Sequence, residues 1–135
     1  MTAPGVRTGA LLAGAAVILG AFGAHALKDR LSPEELAVWE TAVQYQAWHA
    51  LGLVLHGLSL SRTTPGAHRP GEAWPAWAFL FGIVLFSGSL YGLALGGPRW
   101  LGPITPLGGL AFIAGWGLFA WTTGTGRAGS RAGIR

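Results

Sequence analysis

Four stretches of this chain hold no Lys, Arg, Asp or Glu: Thr8–Leu27, Thr41–Ser61, Ala73–Pro98 and Trp100–Gly126. They run 20, 21, 26 and 27 residues, and a helix needs about 20 apolar residues to cross about 30 Å of hydrocarbon. Four spans fit, and little chain is left over for a soluble core. Only 10% of the residues are charged, against roughly 25% in ordinary soluble domains. The expected fold is therefore an all-α membrane protein, with four transmembrane helices in a compact bundle and both termini on the same side. Residues 1–123 form that one domain, and 124–135 read as a Gly/Ala/Arg/Ser-rich disordered tail.

The pI near 10.8 does not make this a nucleic-acid binder. Its nine basic residues are scattered, without the basic stripe and interleaved aromatics that such binding needs; they read as membrane-flanking charges. The absence of cysteine removes disulfides, thiolate metal sites and cysteine nucleophiles. Arg7 followed by an apolar run, with Ala24-His25-Ala26 after it, imitates a cleavable signal. The run is long for a signal core and three further spans follow, so the first helix is expected to be retained.

The spacings place the helices at about 8–26, 33–61, 74–97 and 104–123. In the first, Ala16, Gly20 and Ala24 recur every four residues and open one side to a neighbour's backbone. The second starts on a capping box, with Ser32 as N-cap, Pro33 at the first helical position and Glu35 closing the pair. From Pro33 to Ser61 it has 29 residues, or about 43 Å at 1.5 Å each, so its first turns belong in the headgroup region and Glu40 near the interface. The third carries Gly88, Gly92 and Gly96, a doubled small-xxx-small spacing that suits a tight helix–helix contact. Pro65, Gly66, Pro70, Gly71 and Pro75 break the chain between the second and third helices. Trp39, Trp74, Trp77, Trp100 and Trp121 fall near helix ends, where an amphipathic ring suits the headgroup level. Trp48 and Trp116 fall deeper, as packing residues.

Arg7, Arg62, Arg69, Arg127, Arg131 and Arg135 lie on one side of this topology, and Lys28, Arg30 and Arg99 on the other. Six against three puts both termini in the cytoplasm.

The second span is the least hydrophobic. At about 100° per residue, Tyr45, His49, Gly52 and His56 fall on one stripe, Gln44 lies to its side, and Glu40 lies opposite His49. Ionisable groups inside a membrane are a functional hypothesis by default. The plainer alternative is that the stripe faces the bundle and bonds to Ser87, Ser89 or Tyr91. His49 and His56 are about 10.5 Å apart along the axis, too far to share an ion. His25 with either of them lacks further ligands, so no metal or cofactor is expected, and His68 reads as a solvated loop residue. No phosphate loop, serine-nucleophile setting or zincin pattern occurs, which speaks against an enzyme.

Four segments occur in order: Gly20-Ala21-Phe22-Gly23-Ala24-His25; Trp39-Glu40-Thr41-Ala42-Val43-Gln44-Tyr45-Gln46 with His49-Ala50-Leu51; Phe86-Ser87-Gly88-Ser89-Leu90-Tyr91; and Ile104-Thr105-Pro106-Leu107-Gly108-Gly109 through Gly115-Trp116. Together they resemble the small integral membrane family catalogued as domain of unknown function 423, whose eukaryotic relatives include transmembrane protein 256. The resemblance spans roughly Gly9 to Trp121. It implies a four-helix protein of bacterial inner membranes without an established activity or cofactor. It also implies that His25, Glu40, Gln44, Tyr45, His49, Ser87, Ser89 and Tyr91 match the family's polar positions. The Pro/Gly-rich 62–75 loop and the Arg-bearing tail depart from it. The expected role is a non-enzymatic, self-associating or accessory component embedded in the lipid bilayer. The alternative is a small proton, ion or solute conduit along Tyr45/His49/His56.

Overall fold

The computed structural model describes residues 5–61 and 70–125. His68, Arg62, Arg69, the Pro65-Gly66 breaker and the tail from Gly126 with its three arginines lie outside the described residues.

Among the described residues there is no strand. Helix α1 (Val6–Phe22) runs on into a π-helical turn over Gly23–Leu27, α2 spans Pro33–Ser61, and α3 (Trp74–Gly82) continues through a second π turn (Ile83–Ser87) into α4 (Gly88–Ala94). A 3₁₀ turn at Arg99–Leu101 then leads into α5 (Ile104–Thr125). Helical structure thus begins at Val6 and not Thr8, and Gly124 and Thr125 belong to α5 and not to a tail. Three segments are long and apolar enough to cross a membrane: Val6–Leu27, Trp74–Ala94 and Arg99–Gly124. Helix α2 has the length, but its Glu, Gln and His residues make it more polar than these.

The start of α2 forms by the expected capping box. The Ser32 backbone N–H donates to Glu35 Oε2 at 2.8 Å and the Glu35 N–H donates to Ser32 Oγ at 3.2 Å. Two donors that a helix start would leave unpaired are thereby satisfied.

The helix that is most polar is also the most enclosed. Helix α1 packs against α2 and no other helix among the described residues, while α3 and α4 pack on another side of α2 and α5 lies against α3 and the second π turn. Core residues Ala50, Leu53, Ala76, Phe79, Ile83 and Phe112 join α2 to the α3–α5 pair. A smaller cluster of Leu27, Trp39 and Ala94 closes the other end. Large apolar side chains such as Leu11, Val17, Ile113 and Leu110 are instead exposed on α1 and α5. Polar inside and apolar outside is the arrangement for a surface that meets hydrocarbon.

Close backbone approach sets the register of the first hairpin. A Cβ on Gly9 would stand 2.7 Å from the Ala50 carbonyl oxygen, and one on Gly57 would stand 2.6 Å from the Val6 nitrogen. Neither site has room for a side chain, so the α1–α2 contact depends on glycine. Ala16 is buried and Gly20 meets Val43 at an ordinary 3.4 Å, as their spacing suggests. Ala24 is exposed, because the π turn rotates the chain and buries Gly23 and Leu27 in its place.

The Gly88/Gly92/Gly96 spacing does not become a helix–helix face within the chain. Nothing lies within 4 Å of a Cβ on Gly88, Gly92 is covered by Leu101, and Gly96 lies past the end of α4 at φ +78°. The helix stops at Ala94 because Gly96 takes the left-handed conformation that closes a helix C-terminus. Gly97 then donates to the Gly92 carbonyl at 2.8 Å.

Candidate functional site

The polar side chains that the fold encloses are Gln46, His49, His56, Ser87 and Ser89. Their positions follow from the helical repeat of α2. Trp39, Ala42, Gln46, His49, Leu53 and His56 recur at three and four residues and all are buried, the pattern of one face of a helix.

Gln46 bridges three helices. Its Nε2 donates to the Leu12 carbonyl of α1 at 2.9 Å, and its Oε1 accepts from the Tyr91 hydroxyl of α4 at 2.9 Å. Two turns back, Trp39 Nε1 donates to the Leu19 carbonyl at 3.0 Å, and the Trp39 ring packs against Tyr91 with centroids 4.7 Å apart. Trp39 is therefore a core residue and not an interfacial anchor. Trp48, expected to pack, is half exposed.

The Tyr45/His49/His56 stripe does face the bundle, though not towards Ser87, Ser89 or Tyr91. His49 Nδ1 bonds the Tyr45 carbonyl of its own helix at 2.7 Å, and the imidazole stacks on Phe112 with centroids 3.4 Å apart. Since a carbonyl only accepts, this nitrogen carries the proton. The Tyr45 ring lies against Phe86, 4.5 Å away. Between the two histidines, a Cβ on Gly52 would meet Phe79 and Trp116 at 3.3 and 3.4 Å. Aromatic rings, not polar groups, thus fill the interval. His56 Nε2 donates to the Glu72 backbone carbonyl at 2.8 Å, and His56 Nδ1 is buried without a partner among the described residues.

The serines serve other contacts. Ser87, in the second π turn, donates to the Ala42 carbonyl of α2 at 2.8 Å. Ser89 Oγ donates to the Phe86 carbonyl at 3.0 Å and lies 2.6 Å from Thr105 Oγ1 of α5. Every enclosed polar residue therefore bonds a backbone carbonyl. In a low-dielectric interior, each such bond offsets the penalty of burying the group.

His25, Glu40 and Gln44 are exposed and take no part in this network. No group of three or more His, Asp or Glu able to hold a metal ion occurs among the described residues. The sequence places Trp39 at the interface and does not single out Gln46, although both fall on the buried face of the α2 repeat.

The family described as protein of unknown function (DUF423) matches residues 19–109. Among similar proteins is the UPF0382 membrane protein of Staphylococcus epidermidis, 51% identical over 108 residues that cover 80% of this chain and 84% of the relative. The UPF0382 membrane protein YwdK of Bacillus subtilis is 47% identical over 116 residues, covering 80% of this chain and 85% of that protein. The UPF0382 membrane protein SSP2132 of Staphylococcus saprophyticus is 50% identical over 108 residues, 80% of this chain and 86% of its own length. No solved structure matches the chain.

Proposed function

This chain belongs to the DUF423 family, and on that premise we propose that it is a four-span protein of the bacterial plasma membrane that works without catalysis, as a self-associating or accessory component of a membrane assembly. The observation that carries this reading is the fate of its enclosed polar groups. Gln46, His49, His56, Ser87 and Ser89 each donate to a main-chain carbonyl. A catalytic or ligating site needs several such groups converging on one substrate, and these residues are instead directed one by one to separate carbonyls, three of them on another segment: Gln46 to Leu12, His56 to Glu72 and Ser87 to Ala42.

Helix α2 is the fourth span in this reading. It is free of charged residues from Thr41 to Ser61, and its exposed stripe there includes Trp48, Leu51, Leu55 and Leu58. Contacts of Gly57 with Val6 and of His56 with Phe119 bring the beginning of α1 and the last turns of α2 and α5 together. With the six-to-three arginine and lysine bias, that supports cytoplasmic termini. Gentle-detergent extraction from the native membrane, followed by sizing and co-purification, tests the role. A complex larger than one chain is expected; a partner-free monomer overturns the reading.

A conduit along Tyr45/His49/His56 is the second reading, and the unpartnered His56 Nδ1 is its one specific support. The Phe79, Phe112 and Trp116 rings that pack around His49 and Gly52 weigh against it. Equal liposome flux for the wild type and His49→Ala would eliminate it.

A further inference from the structure

Two polar side chains that lie outside the internal network, His25 and Glu40, lie at nearly one depth. Contacts of Val6 with Gly57, Gly20 with Val43 and Gly23 with Trp39 give the hairpin its antiparallel register. On that register His25 is level with Val38, so Glu40 lies only about 3 Å away along the axis at 1.5 Å per residue. His25 and Glu40 are both exposed and on different outward faces, and neither side chain bonds to any described residue. Within one chain they point apart. Between chains of the same orientation in a membrane they are at the right height to meet.

The faces that carry them fit each other along their length. Ala10, Gly14 and Ala21 fall within about 40° on the side of α1 away from α2, and His25 follows them, one turn on. All four are exposed. Glu40, Gln44, Leu51 and Leu55 fall within about 60° on α2, and these too are exposed. Running from the charged end, both sets are spaced four, seven and four residues apart. In antiparallel register this places His25 at Glu40, Ala21 at Gln44, Gly14 at Leu51 and Ala10 at Leu55. Each large or polar residue thus meets a small one, apart from the one pair of opposite charge type. Gly14 has open space, since a Cβ there meets nothing within 4 Å, and small residues are what let membrane helices approach closely.

We propose that the outward face of α1, Ala10/Gly14/Ala21/His25, docks on the exposed face of α2, Glu40/Gln44/Leu51/Leu55, of a second copy of this chain. The ring N–H of His25 donates to the Glu40 carboxylate, and Leu51 fills the space over Gly14. The two faces are different surfaces, so the contact is head-to-tail and generates a ring or a row of copies and not a two-fold dimer. This rests on the self-association reading above and specifies its surface.

The chain has no cysteine, so introduced thiols report without background. Full-length Gly14→Cys and Leu51→Cys copies carrying different tags are co-expressed and oxidised in native membranes, with Phe81→Cys, exposed on α3, as the control in place of Gly14→Cys. A cross-link joining the two tags, well above the control, is expected. Glu40→Ala in the Leu51→Cys copy should lower it about fivefold, as loss of an interaction of about 1 kcal/mol would. Exchanging the pair, His25→Glu in one copy with Glu40→His in the other, should restore it. A protein that sizes as an oligomer yet gives no 14–51 cross-link overturns this surface and leaves the self-association reading standing. A monomer overturns both. A cross-link indifferent to Glu40, or cross-links to other membrane proteins in place of the second copy, also overturns the proposal.

Discussion

Gln46 and Tyr91 are hydrogen-bonded at 2.9 Å across the contact between α2 and α4, while the same glutamine reaches back to the Leu12 carbonyl of α1. One amide therefore couples helices that have no backbone contact with each other. Tyr91→Phe should lower stability by about 1 kcal/mol, leaving the amide oxygen unpaired. Gln46→Leu should cost more, since it leaves both the Tyr91 hydroxyl and the second site on Leu12 empty. A double-mutant cycle in a denaturing-detergent titration should give a coupling of about 0.5–1.5 kcal/mol between the two.

Two glycines of α1 should respond oppositely to alanine. Gly9→Ala drives a methyl against the Ala50 carbonyl and the Val54 side chain, and overpacking of this kind costs about 1–3 kcal/mol. Gly14→Ala enters open space and should leave the stability of the single chain unchanged or raised by up to about 1 kcal/mol. Unfolding of the two variants, measured side by side under conditions where the chain is monomeric, checks the contrast.

The capping box offers a test outside the membrane-facing surface. Ser32→Ala removes the acceptor for the Glu35 N–H and should cost about 1 kcal/mol. Glu35→Gln keeps a side-chain oxygen for the Ser32 N–H and should cost much less. Thermal denaturation followed by circular dichroism separates the two.

His49→Ala removes a ring stacked on Phe112. Loss of a large enclosed side chain creates a cavity and costs about 2–4 kcal/mol. If the residue is structural, flux through reconstituted liposomes stays at the wild-type level while stability falls. His49→Phe should recover part of that stability, because it retains a flat ring at the position.

Much of this architecture is legible in the sequence. The uncharged windows mark where helices run, Ser32-Pro33-Glu34-Glu35 marks where α2 begins, and the spacing of Ala16 and Gly20 marks the side of α1 that α2 meets. The π turns are not legible, because an extra residue in a helical turn has no composition of its own. That is why Ala24 was expected to face inwards, and Gly23 and Leu27 do so. The Gly88/Gly92/Gly96 spacing misleads for a related reason: the interval continues in the sequence after the helix has ended. In α2, the polar stripe was centred on Tyr45, His49 and His56, yet the glutamine that joins the helices is Gln46, about 100° from Tyr45. Which polar residue becomes a cross-link depends on where the neighbouring carbonyls lie, and that is a property of the assembled bundle.

The exclusive pairing of α1 with α2 bears on how the chain is made. Among the described residues, no helix after Ser61 packs against α1, so the first hairpin can close while the remainder is still being translated. Its own bonds, Trp39 to Leu19 and Gln46 to Leu12, are available at that stage. His56, the Gln46 Oε1 and the Ala42 carbonyl are not yet matched, and their partners Glu72, Tyr91 and Ser87 arrive only with the second half. The nascent hairpin thus presents three open positions on one side, and the segment from Glu72 to Tyr91 supplies the partner for each.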